Sequence, residues 1–185
     1  MATTADFRNG MVFSLDGVLY SIAEFLHVKP GKGGAFVRTK LKNVRTGAVV
    51  ERTFRAGEKI EEVRLERRAA VYLYNAGDEY YFMDSETYDQ FPIPKEIIKD
   101  GIGFLKENSE VGVLVDGEAI ISVELPFFVD LRVADTAPAF KGDTVSGGTK
   151  PAQLETGATI QVPMFLEVGD VIKVDTRTGT YIERV

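Results

Sequence analysis

Short apolar runs cut by turn residues about every ten positions constrain this chain more than any other feature, because that rhythm suits small β-sheets and little else. "MVFSLDGVLYSIAEF" breaks at Asp16-Gly17, and "AAVYLYNAGDEYYFMD" at Asn75-Ala76-Gly77-Asp78. "VGVLVDGEAIISVEL" breaks at Asp116-Gly117, and "AFVRTKLKNV" passes into "RTGAVVERTF" at Thr46-Gly47. Such pairs supply the positive φ that tight hairpin turns require. "FFVDLRVADT" and "GATIQVPMFLEVGDVIKVDTRTGTYIERV" continue the strand-like pattern, and only the short segment "PKEIIKDGIGFLKEN" reads as helical. The expected fold class is all-β, built from small sandwiches or barrels. Boundaries near 64–66 and Pro126 give three units, 1–64, 65–127 and 128–185. Units that small bury modest cores and lean on one another.

The first unit is expected to be a barrel of about five strands. In it "AFVRTKLKNV" alternates, with Phe36, Arg38, Lys40 and Lys42 on one side and Val37, Thr39, Leu41 and Asn43 on the other. Charge is distributed unevenly. Residues 1–64 carry 11 Lys and Arg against 7 Asp and Glu, whereas residues 65–185 carry 11 against 21. Residues 27–45 hold six cations (Lys29, Lys32, Arg38, Lys40, Lys42, Arg45) and no acid. A basic stretch on an acidic protein suits one end for a polyanion, although a solvated basic hairpin has the same composition.

Enzyme chemistry finds few residues to work with. The absence of cysteine removes disulfides, thiolate metal sites and cysteine nucleophiles. It also makes the cytoplasm the default location. The start "MATTADFRNG" lacks the charged and apolar regions of a signal peptide, and no apolar run reaches the length of a membrane span. The single histidine, His27, lies in the strand-like "AEFLHVKP" with no partner motif and reads as a strand or barrel-edge residue. The acid-rich "DSETYDQF" (84–91) has no calcium-loop spacing and reads as a turn. No Gly-x-Ser-x-Gly elbow occurs, and no histidine follows "GDTVSGG" (142–148). Catalytic residues, metal ligands and cofactors are therefore not expected.

The stretch "KPGKGGA" (29–35) places Lys32 among Pro30, Gly31, Gly33 and Gly34, between two expected strands. Proline fixes φ, and glycine permits tight turns and close approach of backbone to a partner. A phosphate-binding loop of the mononucleotide type would need a hydroxyl residue after the lysine and a following helix; neither is present. Two readings remain for this loop: an exposed hairpin tip, and a tip that reaches into a nucleic-acid site.

Three blocks carry a resemblance to a known family: "HVKPGKGGAFVRTKLKNVRTGAVVERTF", "YLYNAGDEYYFMDSETYDQF" and "FKGDTVSGGTKPAQLETGATIQVPMFLEVGDVIKVDTRTGTYIERV". Along essentially its whole length the chain resembles bacterial translation elongation factor P. The resemblance implies a KOW/SH3-like barrel followed by two OB-like barrels, in an L-shaped arrangement like that of a transfer RNA. It implies a non-enzymatic, monomeric factor that binds both ribosomal subunits between the peptidyl and exit sites and relieves stalling at consecutive prolines. Lys32 would be the functional tip, which in relatives is often covalently extended by a modifying enzyme, and it would contact the peptidyl-tRNA. Gly142, Asp143 and Thr144 match a loop near the exit-site codon of the messenger. Tyr181 and Arg184 match terminal positions that touch tRNA, while Arg38, Lys40 and Lys42 offer phosphate contacts by alternation. A generic nucleic-acid-binding protein built on OB folds is the alternative; it needs a basic groove with exposed aromatics in residues 66–185.

Overall fold

The computed structural model describes residues 2–138 and 148–185, and nearly all of its regular elements are strands. By compactness the chain forms two units, one of residues 1–67 with 114–122, the other of residues 68–113 with 123–185. Among the described residues no helix is long and apolar enough to cross a membrane.

The first sheet contains β1 (Ala2–Thr3), β2 (Val12–Leu15), β3 (Val18–Val28), β4 (Phe36–Asn43), β5 (Val49–Arg55) and β6 (Lys59–Glu62), in the order β1-β6-β2-β3-β4-β5. It has six strands where the sequence reading expected about five. The addition is β1, whose two residues pair with Lys59 and Ile60 and are too few to show a periodic pattern. A cap holds it: Thr3 donates from its backbone N–H to Asp6 Oδ2 at 2.8 Å and accepts from the Ala5 N–H. Phe7, Phe13 and Phe54 fill the centre with ring centroids 5.6–5.9 Å apart. Ile22, Val37 and Leu41 complete this core. Strand β4 alternates as expected, with Val37, Thr39 and Leu41 buried and Arg38, Lys40 and Lys42 exposed.

The second sheet contains β7 (Glu66–Ala76), β8 (Glu79–Asp84), β9 (Gln90–Pro94), β10 (Glu110–Asp116) and β11 (Ala119–Glu124), in the order β11-β10-β7-β8-β9. A one-turn helix, α1 (Lys95–Ile98), runs into a 3-10 segment (Lys99–Phe104), so the helical stretch is short, as its sequence suggests. Strand β9, "QFPIP", is not apparent in the sequence, because two prolines argue against a ladder. It survives as an edge strand, where a missing N–H costs no pairing. Within the segment 84–91, the end of β8 and the start of β9 are joined by a turn at residues 85–87, where Asp84 Oδ1 accepts the N–H groups of Glu86 and Thr87 at 2.8 and 3.0 Å.

The third sheet contains β12 (Phe128–Thr136), β13 (Thr149–Leu154), β14 (Thr159–Pro163), β15 (Val171–Asp175) and β16 (Thr180–Arg184), in the order β14-β13-β12-β15-β16. Its core is aliphatic and includes Leu131, Val133, Leu154, Leu166, Ile172 and Val174. Strand β13 also escapes sequence reading, since "TKPAQL" has a proline and an inward lysine. Pairing with β12 ends at Ala152, which leaves Pro151 outside that ladder.

The β15–β16 turn is held by Asp175. Its carboxylate accepts from Arg177 Nε at 3.0 Å, Nη2 at 2.6 Å and the Arg177 backbone N–H at 2.9 Å. The Arg177 guanidinium, chiefly, keeps the Asp175 carboxyl below the usual carboxylate range. A folded-state pKa below the unfolded value contributes stability at neutral pH that is lost as pH falls through about 4 and lower. Asp175→Asn should therefore be less stable than the parent at pH 7 and lose less stability on acidification. Urea unfolding at pH 7, 4 and 3 checks this, and parallel curves for the two proteins would reject it.

Candidate functional site

The Lys32 loop joins two strands paired without a break from Phe25↔Thr39 to Val28↔Phe36, so the hairpin delivers residues 29–35 beyond its last cross-strand pair. Below the loop, the Ala56 N–H donates to the Ala35 carbonyl at 3.0 Å and ties the base to the end of β5. Gly31, Lys32, Gly33 and Gly34 are all exposed, and among the described residues no hydrogen bond or ion pair holds Lys32.

The three glycines differ in what the fold asks of them. Gly33 has φ +112, a conformation that L side chains rarely adopt, and a Cβ there would lie 3.9 Å from Pro30 Cγ. Gly31 and Gly34 have no such φ, and a Cβ on either would meet nothing within 4 Å. One glycine is thus required by the turn, whereas the bare backbone at the other two has no cause inside the protein. It leaves the tip narrow on both sides of Lys32.

Arg38, Lys40 and Lys42 project from the same face of β4, as expected, but they are not equivalent. Arg38 lies with its guanidinium carbon 5.6 Å from the Phe36 ring centroid, and its neighbour across the ladder is the exposed Leu26. Lys40 Nζ is 2.9 Å from Glu24 Oε2, and Glu51 faces it from β5. The hydrogen bond to Glu24, above all, raises the Lys40 pKa, so this cation is already answered by carboxylates. Lys42 is exposed beside the Asn43–Gly47 turn, where Asn43 Oδ1 accepts the N–H groups of Arg45 and Thr46, each at 2.9 Å. A register shift between Ile22 and Glu24 sets which face Glu24 occupies, and nothing in the sequence marks that bulge.

A second bulge shapes the chain end. Three positions apart, Tyr181 and Arg184 would fall on opposite faces of a regular strand. The register shift between Lys173 and Val174 sets Tyr181 opposite Val174 and Arg184 opposite Ile172, so both lie on one face. Tyr181 packs partly buried against the third core. Arg184 is exposed, 5.9 Å from the Phe165 ring centroid and 3.9 Å from Asp170 Oδ2. Gly142, Asp143 and Thr144 lie outside the described residues. The strands flanking that segment are joined by Thr136 Oγ1, which donates to the Pro151 carbonyl at 2.9 Å, and by the buried Lys150, whose ammonium donates to the Ala137 carbonyl. His27 lies in β3 with its ring edge-on to Phe25 at 5.6 Å. No group of three or more potential metal-ligating side chains occurs among the described residues.

Comparison with known proteins accounts for each sheet in turn. The family model of the elongation factor P KOW-like domain matches residues 3–60, that of the elongation factor P OB domain residues 65–123, and that of the elongation factor P C-terminal domain residues 129–184. An elongation factor P of Moorella thermoacetica is 59% identical over 184 residues and one of Carboxydothermus hydrogenoformans 58% over 185, each covering 100% of both chains. Among solved structures, the eukaryotic translation initiation factor 5A from Methanococcus jannaschii superposes with a TM-score of 0.51 at 25% identity, covering 68% of this chain and 90% of that one. The KOW-like and OB folds expected from the sequence are therefore present, and by three consecutive domain matches and full-length identity well above half, the chain belongs to the elongation factor P family.

Proposed function

We propose that this protein is a translation elongation factor that binds the ribosome between the peptidyl and exit sites and speeds peptide-bond formation at consecutive prolines. The Lys32 loop would hold the end of the peptidyl-tRNA in a productive geometry. Proline is a constrained reactant because its ring fixes φ and removes a donor. Holding two reactants in register lowers the entropic part of the barrier, and such an accessory needs no nucleophile of its own. One observation carries this reading: an exposed lysine at the end of a paired hairpin, in a loop where two glycines, Gly31 and Gly34, are not required by the fold.

The partners under this reading are both ribosomal subunits, the peptidyl-tRNA, the exit-site codon of the messenger through Gly142, Asp143 and Thr144, and an enzyme that extends Lys32 covalently. The working location is the cytoplasm, where those partners are, and the working form is a monomer. Tyr181 and Arg184, brought to one face by the β16 bulge, are the proposed tRNA contacts of the chain end.

Synthesis of a three-proline peptide in a purified translation system tests the proposal. Protein from its native source should accelerate synthesis, and failure to do so rejects the function. If recombinant protein alone fails, the mass of the tryptic peptide carrying Lys32 from native cells decides whether a covalent group is missing. The β4 face gives a second, graded expectation. Arg38→Ala should weaken ribosome binding and reduce its salt slope by about one unit, as loss of one phosphate contact does. Lys40→Ala should do less, because Glu24 and Glu51 already compensate its charge. Equal effects in a salt titration of ribosome binding would count against this ranking.

A further inference from the structure

The second sheet carries an aromatic row on the face its core does not use. Tyr72, Tyr80, Phe82 and Ile93 point inward and are buried. A register shift between Tyr72 and Tyr74 turns Tyr74 outward and sets it directly opposite Tyr81, which in turn is opposite Pro92. The two tyrosine rings stack nearly parallel, with centroids 4.9 Å apart and planes 14° from each other. Tyr74 is 46% exposed, and Pro92 and Pro94 beside the row are exposed as well. Glu79 borders the row, accepting a hydrogen bond from the Tyr81 hydroxyl at 3.2 Å.

Stacked tyrosines on the outer face of an OB barrel, here the exposed Tyr74 and the half-buried Tyr81, can serve as a platform for unpaired bases, but only where cations neutralise the phosphates between those bases. Here the charge has the wrong sign. Residues 65–127 contain five Lys and Arg against thirteen Asp and Glu, a balance of −8. An acidic surface with aromatic faces instead suits guanidinium and ammonium groups, which lie over tyrosine rings and pair with carboxylates. Access to the sheet is restricted as well. β9 is an edge strand, and Pro92 and Pro94 have no N–H to offer a further strand. A partner is thereby directed to the face rather than to the edge.

We infer that the outer face of the second sheet, centred on Tyr74, Tyr81 and Pro92, docks an arginine- and lysine-rich protein segment. This goes beyond the tip-loop reading and does not depend on it.

The test uses the full chain and two probes, a synthetic alternating arginine–glycine peptide and oligouridylate RNA. Backbone and tyrosine NMR shifts locate each probe, and titration gives its affinity. The peptide should shift residues of β7, β8 and β9 on this face. The double variant Tyr74→Ala/Tyr81→Ala keeps the net charge, so any general attraction between an acidic protein and a cationic peptide persists in it. It should bind the peptide about fivefold or more weakly, as expected for the loss of two exposed cation–ring contacts. Tyr74→Phe/Tyr81→Phe should retain most of the affinity. If the double alanine variant loses its fold, Tyr74→Ser alone, at the more exposed ring, decides by the same criterion with about a twofold loss expected. Unchanged peptide affinity in the folded alanine or serine variant overturns the inference, and so does oligouridylate binding at this face as tightly as the peptide.

Discussion

Lys32→Ala should abolish most of the stimulation of proline–proline bond formation while leaving the melting temperature unchanged. The two halves of this expectation have separate causes. Lys32 is exposed and makes no hydrogen bond or ion pair among the described residues, so its truncation removes nothing that holds the hairpin. Surface changes of that kind stay within about 0.5 kcal/mol. The functional loss should be about tenfold or more in the rate of three-proline synthesis, equivalent to about 1.4 kcal/mol in the barrier. Gly31→Ala and Gly34→Ala are informative companions. A methyl group at either position meets nothing inside the protein, so both variants should fold normally and still lose activity if the narrow tip must enter a confined site. Gly33→Ala should lose stability as well, because the alanine inherits φ +112. A Lys32→Ala protein that keeps full activity in the translation assay would remove the tip from the mechanism. A stable, fully active Gly31→Ala/Gly34→Ala protein would show that those glycines serve no partner.

Much of this architecture is legible in the sequence, and the parts that are not share physical causes. Strand β4 was legible residue by residue, because one buried face and one solvated face impose strict alternation on eight residues. The hairpins at Asp16-Gly17 and Asp116-Gly117 were legible because their turn chemistry is local. Strands β9 and β13 were not, since their prolines mimic loop sequence and are tolerated only by virtue of an edge or the end of a ladder, which is tertiary information. The bulges were invisible for a related reason. A single extra residue near Ile22, Leu73 or Ile182 reverses which side chains share a face, yet it leaves composition untouched. The site was legible to the same degree. Lys32 stood out because glycine and proline surround it, and Arg38 because it alternates outward. The pairing of Lys40 with Glu24 and the common face of Tyr181 and Arg184 required the register. Family resemblance supplied Gly142, Asp143 and Thr144, which lie outside the described residues.

Phe104→Ala should destabilise two sheets at once. Phe104 ends the 3-10 segment of the second sheet's chain, yet its ring packs against the core of the third sheet. The third sheet makes room for it. Gly179, at φ +66 in the β15–β16 turn, presents bare backbone to the ring, and a Cβ there would lie 3.4 Å from Phe104 Cζ. Next to it, a Cβ on Gly103 would come within 3.0 Å of the Ala158 methyl, so this joint is close-packed backbone against side chain. Polar contacts seal the rim. Lys106 Nζ lies 2.9 Å from Glu155 Oε1, and the Thr156 hydroxyl donates to the Gly103 carbonyl. Truncating a partly buried ring in such a seam should cost about 2–3 kcal/mol, below the value for a wholly buried phenylalanine because some of the ring already meets water. Both sheets draw on the same contact, so the loss should lower one shared unfolding transition rather than split off a first one. Phe165→Ala is the matching control: that ring is 57% exposed, and its loss should change stability by no more than about 0.5 kcal/mol. Urea unfolding with amide exchange read separately on β7–β11 and β12–β16 distinguishes the cases. If amides of β12–β16 exchange faster in Phe104→Ala while those of β7–β11 keep their protection, the ring belongs to the third core alone, and the joint contributes nothing to the second sheet.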